Sequence, residues 1–278
     1  MTSNTSEPFD FSNQSSLQER RFGGMARLYG VAGADNIAKS HVLIVGIGGV
    51  GSWVSESLAR SGVGEITLID MDHLSESNIN RQIHALESTL GKSKVLAMKE
   101  RISLINPQCI VHTVDDFVTP ENWMQMVHDL HLDSNTRSPV SAVIDACDQV
   151  KAKVAIADWA IRHKKFFVTL GAAGGKRQAH LVEQADLSKV THDPLLAQVR
   201  YRLRKEKGAP KDGNKMGVRC VFSRENVAPP DPSCQIEGDG TLNCHGYGSV
   251  VTVTASFGIV AASLALNFLA DGLIIPKK

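Results

Sequence analysis

Cysteine is scarce in this chain and badly placed for holding metal. The 278 residues include five, Cys109, Cys147, Cys220, Cys234 and Cys244, at irregular spacing. No two form a Cys-x-x-Cys pair, which excludes a zinc ribbon and gives no support to a disulfide framework. Such usage fits a reducing cytoplasm. Net charge is also nearly absent: 30 Lys and Arg face 29 Asp and Glu, leaving +1. A molecule-wide field that attracts nucleic acid is thereby excluded, and any such binding has to come from a local patch. Residues 1–16 lack a basic n-region and an apolar h-region. They are expected to be disordered and do not read as a signal peptide. Residues 246–270 carry no charge and are long enough to cross a bilayer. Yet they contain Ser249, Thr252, Thr254, Ser256, Ser263 and Asn267, with small residues such as Gly258 and Ala261 that suit close packing. A helix buried in the protein or in a dimer interface is expected there, with membrane association as the alternative. The β-branched start at 250–254 fits either a strand or the first turn of that helix.

With 42% apolar residues, a sizeable core can form. Short apolar runs at 41–45, 65–69, 110–114, 140–144 and 166–170 read as strands. Between them, residues 50–61, 93–105, 121–130 and 151–163 have helical spacing. This alternation predicts an α/β fold: a Rossmann-like, mainly parallel sheet with helices on both faces. After Gly171 the pattern changes. A strand at 178–182 would belong to a smaller antiparallel layer, 194–207 reads as a basic helix, and 208–243 as a long crossover loop. The expected division is a disordered 1–16, a core at 17–175, and an accessory part of the same domain at 176–278. Ligands in such sheets bind beyond the carboxyl ends of the strands. Gly46, Asp70, Asp148 and Gly171 all fall at those ends and are expected to converge.

The first strand runs into Gly46-Ile-Gly48-Gly49-Val-Gly51. Glycines at this place allow a tight turn and let backbone N–H groups approach a phosphate at a helix N-terminus. Asp70 ends the second strand, where an acid accepts hydrogen bonds from ribose hydroxyls or caps a helix. Asp72 can share the role of Asp70 or of Asp148. A long polar loop follows, bearing Asn80, Arg81 and Gln82, and Lys94 opens the next helix. Arg81 can grip a phosphate with its fork and Lys94 can supply a compact charge. The bland alternatives are a surface salt bridge and a solvated helix charge. Asp148, just past the fourth strand, either holds Mg²⁺ against the phosphates or caps the following helix. No hydride-transfer residue accompanies the glycine turn, so a triphosphate is favoured over a redox coenzyme.

As a set, these positions resemble the ubiquitin-activating-enzyme-like adenylyltransferases, over about residues 21–175. Further segments, among them Arg21-Phe-Gly-Gly, Gly51-Ser-Trp53, Asn80-Arg-Gln-Ile-His-Ala-Leu86 and Gly217-Val-Arg-Cys220, look like the family's tRNA-modifying dehydratase branch. The resemblance implies ATP and Mg²⁺ as cofactors, with a monovalent cation as a further candidate. It implies that Asp70 binds ribose, that Arg81 and Lys94 bind phosphate, that Asn80 helps place the triphosphate, and that Asp148 binds Mg²⁺. Arg20 and Arg21 would reach the phosphates of a partner subunit in a homodimer, with a plain surface role as the alternative. The implied substrate is N6-threonylcarbamoyladenosine beside a tRNA anticodon, cyclised through an acyl adenylate. A sulfur-carrier-protein adenylyltransferase, or a sulfur relay fed by a cysteine desulfurase, is the alternative. The carrier activators bear two Cys-x-x-Cys pairs that this chain lacks.

Cys244 stands in Asn243-Cys244-His245 and is a candidate sulfur acceptor or thioester nucleophile, or a structural cysteine. Residues 198–219 hold eight basic side chains and two acids, Glu206 and Asp212. This is either a backbone-binding patch for tRNA or a solvated helix and loop. No aromatic interleaving for base stacking is expected in it.

Overall fold

The computed structural model describes residues 14–132, 140–211, 213–231, 233 and 247–272. Helix α1 (Gln14–Ala38) leads into β1 (His41–Val45), α2 (Gly51–Arg60) and β2 (Glu65–Ile69). Then come α3 (Lys94–Ile105), β3 (Ile110–Val114), α4 (Trp123–Leu132), β4 (Val140–Asp145), α5 (Val150–Arg162) and β5 (Phe166–Leu170). The chain continues with β6 (Val182–Asp186), α6 (Pro194–Glu206), β7 (Arg219–Ser223) and α7 (Val251–Ala270).

Among the described residues, seven strands form one sheet in the order β3-β2-β1-β4-β5-β7-β6. Every residue of β1, β2, β4 and β5 is buried. Continuous apolar strands of this kind need cover on both faces. One face packs against α2, α3 and α7, the other against α4, α5 and α6. The parallel register sets Val45 beside Ile69 on one side and Asp145 on the other. Gly46 N–H donates to Ile69 O and Ala146 N–H to Val45 O, each at 2.8 Å. The loops that begin at Gly46, Asp70 and Ala146 therefore leave one edge together. The strand order changes direction at β1, and a ligand crevice is expected at that switch.

The antiparallel part is one pair, β6 with β7, continuous with the parallel sheet. Its strand begins four residues later than the sequence pattern suggests, because residues 179–181 form a 3-10 turn. Within the expected crossover loop, residues 219–223 form β7, parallel to β5. Its core positions Cys220, Val221 and Phe222 are fully buried, and pairing with β5 overrides the polar surroundings. Helix α1 starts at Gln14, inside the segment expected to be disordered, and kinks at Gly30. The β-branched start of α7 is helical from Val251, not a strand. Among the described residues, α7 is a helix long and apolar enough to span a membrane, but half of its most apolar window is buried. Val253, Phe257, Ala261 and Ala265 fill the core against α2 and β5, so the sequence's apolarity serves internal packing and does not support the membrane alternative.

Candidate active site

The glycine turn divides into positions the protein itself requires and a position it leaves open. Gly46 has φ +85°, and a Cβ there would lie 2.8 Å from Cys147 N. A Cβ on Gly51 would sit 1.8 Å from Gly46 O. Both are demanded by the packing of the turn against β4 and α2. At Gly48 a Cβ would meet nothing nearer than Gln82 Nε2 at 4.0 Å. The space over Gly48 thus stays free for an approaching group, with the N-terminus of α2 behind it.

Asp70 binds this turn directly. Its Oδ2 accepts from Ile47 N–H at 2.6 Å and its Oδ1 from Asp72 N–H at 2.9 Å. It therefore orders the turn and caps no helix, and each oxygen retains a lone pair for a hydroxyl donor. Burial raises its pKa above the usual value, while Lys94 and the two N–H donors pull it down. Lys94 is not a solvated charge. Its side chain is buried, with Nζ 2.7 Å from the exposed Asp72 carboxylate. An anion at the turn would share that ammonium with Asp72.

Arg81 sits in a loop fixed from three sides. Its carbonyl accepts from Trp53 Nε1 at 3.0 Å and from Thr254 Oγ1 at 3.5 Å. Asn80 Nδ2 donates to Ser249 O at 2.8 Å, tying the loop to the start of α7. The Arg81 side chain packs over Gly49 through its Cγ and Cδ, and its guanidinium donates to Ser77 O and to Asn80 Oδ1. These are hydrogen bonds to neutral acceptors, so its positive charge remains available to a phosphate. Gln82 is buried behind it, and its Oε1 finds no hydrogen-bond partner among the described residues. An orphaned acceptor beneath a glycine turn fits a site finished by a ligand.

Asp148 is exposed at the end of β4, and Gln149, not Asp148, occupies the cap position of α5. Its Oδ1 accepts from Gln149 Nε2 at 3.3 Å. A single free carboxylate beside phosphates suits Mg²⁺, which keeps most of its waters and takes few protein ligands. No cluster of three metal-ligating side chains occurs among the described residues. Below Asp148 lies a buried ion pair: Lys153 Nζ stands 3.1 Å from Asp145 Oδ2, both side chains fully buried. Lys153 also donates to Thr169 Oγ1 at 3.1 Å and Leu170 O at 2.8 Å, joining the ends of β4 and β5. Asp193 caps α6 through Leu196 N–H and holds Ala172 N–H, both at 2.9 Å.

Between these elements opens a cavity of about 710 Å³. Gly49, Arg81 and Asp148 line one end; Gly171–Gly174, Leu195, Arg202, Val227 and Tyr247 line the other. Asp70 and Lys94 lie outside it, on the β2 side of the turn. The sequence-predicted residues therefore form two neighbouring groups, with Gly49 and Arg81 at the junction. Cys147 also lines the cavity, but burial and the Asp145 carboxylate push its thiol well above the ordinary range, consistent with a packing role.

Arg21 is not brought to this site. Its Nη1 donates to Ile105 O at 2.7 Å, at the far end of α3 from Lys94. Eleven helical steps separate Lys94 from Ile105, roughly 16 Å along the axis. Cys244, Cys234 and His245 lie outside the described residues. Sequence reasoning did not single out Trp53, Thr254, Lys153 or Asp193 as supports of the site. Asp193-Pro194 carried a usable signal, since an acid before proline is a helix-start pattern. It also discounted aromatics in the basic segment, yet Tyr201 is 61% exposed on α6.

The chain belongs to the ThiF family, whose sequence pattern matches residues 23–274. Within that class, the chain is 44% identical to the tRNA threonylcarbamoyladenosine dehydratase of Escherichia coli over 257 residues, 89% of this chain and 92% of that one. It is 39% identical to the Bacillus subtilis protein of the same name over 197 residues, 71% of this chain and 72% of that one. The solved structure of the Escherichia coli enzyme in complex with ATP matches with a TM-score of 0.81 at 42% identity, covering 93% of this chain and 97% of the other.

Proposed function

We propose that the protein is an ATP-dependent dehydratase that cyclises N6-threonylcarbamoyladenosine in tRNA through an acyl adenylate. The observation that carries this reading is the junction at Gly49 and Arg81. Both residues line the cavity and adjoin the turn that Asp70 orders, which supports a reading in which a nucleotide at the turn meets a second substrate in the cavity. Similarity along most of the chain to dehydratases of that name, one of them solved with ATP, supports the choice of nucleotide and substrate.

In this reading Asp70 holds the ribose, the N–H groups around Gly48 face the phosphates, and Lys94 and Arg81 neutralise their charge. Asp148 would hold Mg²⁺, which supplies further charge neutralisation at the triphosphate. The threonyl carboxylate, seated in the cavity, attacks the α-phosphorus and expels pyrophosphate. The urea of the same nucleoside then attacks the activated carbonyl, closes the ring and releases AMP with a proton. The oxygen lost from the substrate leaves in AMP. Because the second attack is intramolecular, positioning provides much of its rate and no protein nucleophile is required. The protein's contribution is fixed charge and geometry. We propose further that it acts in the cytoplasm as a homodimer in which Arg21 serves the partner's phosphates.

The test is incubation of threonylcarbamoylated tRNA with ATP and Mg²⁺, followed by mass spectrometry of the nucleosides. Loss of one water from the modified nucleoside, with AMP and pyrophosphate formed, is expected. Asp148→Ala should lower the rate by about 10²–10³, the usual cost of removing a charge-stabilising group. Cys244→Ser should turn over normally. Retention of NAD in preference to ATP, or adenylation of a sulfur-carrier protein without change to the tRNA, would overturn the assignment.

A further inference from the structure

The eight basic residues of 198–219 do not act alike. Arg200 Nη1 donates to Leu187 O at 3.1 Å and Val190 O at 2.7 Å, and Arg204 Nε to Pro210 O at 3.1 Å. Arg219 stacks its guanidinium 4.8 Å from the centre of the Phe166 ring. These three hold the local fold. Arg202 and Lys205 are different. Arg202 lines the cavity, and its protein partner is the exposed Glu206 at 3.3 Å. Lys205 is exposed, with Nζ 5.6 Å from the centre of the Tyr201 ring.

Helical spacing puts Gln198, Tyr201, Arg202 and Lys205 on one side of α6. That ridge begins at Pro194 and Leu195, which line the cavity. It therefore runs from the cavity mouth to open solvent, carrying one exposed aromatic beside two cations. A flat ring next to positive charges matches a single nucleic-acid strand, whose bases stack while its phosphates pair. The cavity has room for a nucleotide-sized group, is lined mainly by apolar side chains and backbone, and has Arg202 at its rim.

We infer that this ridge of α6 is the docking track for a single-stranded RNA loop that delivers one nucleotide into the cavity. Tyr201 stacks on a base outside the cavity, and Arg202 and Lys205 hold the flanking phosphates. The inference rests on the proposed function and adds where, and through which side chains, the RNA is read.

The experiment is fluorescence anisotropy with a 5′-labelled synthetic anticodon stem-loop RNA across a range of salt concentrations. Tyr201→Ala should weaken binding about tenfold, and Tyr201→Phe should keep native affinity. Arg202→Gln combined with Lys205→Gln should lower the slope of log affinity against log salt by about 1.4, two single-strand phosphate contacts. Arg202→Lys should retain the slope. The KM for ATP and the melting temperature should be unchanged in all of them. Native affinity and native slope in both Tyr201→Ala and the double variant would overturn the inference, as would equal losses with a blunt RNA duplex of the same length. Failure of the unsubstituted protein to bind or convert the RNA would sink the proposed function itself. Normal conversion by the unsubstituted protein, with variants indistinguishable from it, would sink the docking track alone.

Discussion

Among the glycines of the turn after β1, the sequence repeats one letter but the surroundings assign different duties. A methyl on Gly51 collides with the Gly46 carbonyl, whereas a methyl on Gly48 enters open space. Gly51→Ala should therefore lower stability by about 1–3 kcal/mol or more, the range for overpacking against backbone, seen as a reduced melting temperature. Gly48→Ala should melt normally and raise the KM for ATP by about tenfold, equivalent to ~1.4 kcal/mol. The reverse pattern would show that the turn does not face the phosphates. His84 offers a second test at this scale. It is buried, both ring nitrogens lack a hydrogen-bond partner among the described residues, and burial, reinforced by Lys94 and Arg101, lowers its pKa from 6.5 to about 3. Between those values the unfolded chain binds a proton that the folded protein refuses. Stability from this group is therefore complete above pH 6.5 and erodes as pH falls toward 3. Urea unfolding at pH 7 and pH 4.5 should show a smaller acid loss in His84→Phe than in the unsubstituted protein.

Elements that speak through local pattern were legible in the sequence, and those made by distant partners were not. The strand of residues 41–45, the glycine turn, Asp70 and Asp148 announce themselves because an apolar run followed by a tight turn or an acid has few alternatives. β7 has five residues in Gly- and Pro-rich surroundings, and its strand character comes from pairing with β5, which no local window contains. α1 carries Gly23, Gly24, Gly30 and Gly33 and holds its place by packing on α7, as in the Tyr29–Asn267 hydrogen bond at 3.1 Å. Tyr201 sits in a helix whose pattern shows which residues are buried but not what an exposed ring is for. The buried Lys153–Asp145 pair was also invisible, since neither residue falls in a recognised motif. It couples the ends of β4 and β5 beneath Asp148, and losing Lys153 would leave a carboxylate without its partner in the core. Lys153→Met should cost about 3–5 kcal/mol, and the melting temperature should fall by roughly 10 °C. A melting temperature within a degree or two of native would mean that the pair contributes little.

The molecule as a whole leaves apolar side chains uncovered on its helical flank. On α1, Leu28 and Val31 are largely exposed, and on α7 so is Ile259. A second copy covering these helices is the simplest use for them, and it fits the proposed homodimer. The place of Arg21, hydrogen-bonded at the distal end of α3, gives that pairing a genetic signature. Lys94 of its own chain is out of reach, so in the proposed homodimer any service Arg21 renders would be to the partner. Two crippled proteins, Arg21→Ala and Asp148→Ala, should then repair each other when unfolded together and refolded as a mixture. Half of the pairs would be hybrid, and each hybrid would carry one whole centre and one doubly damaged one, restoring roughly a quarter of native turnover. Two proteins that stay inactive after mixing would return Arg21 to an ordinary surface role.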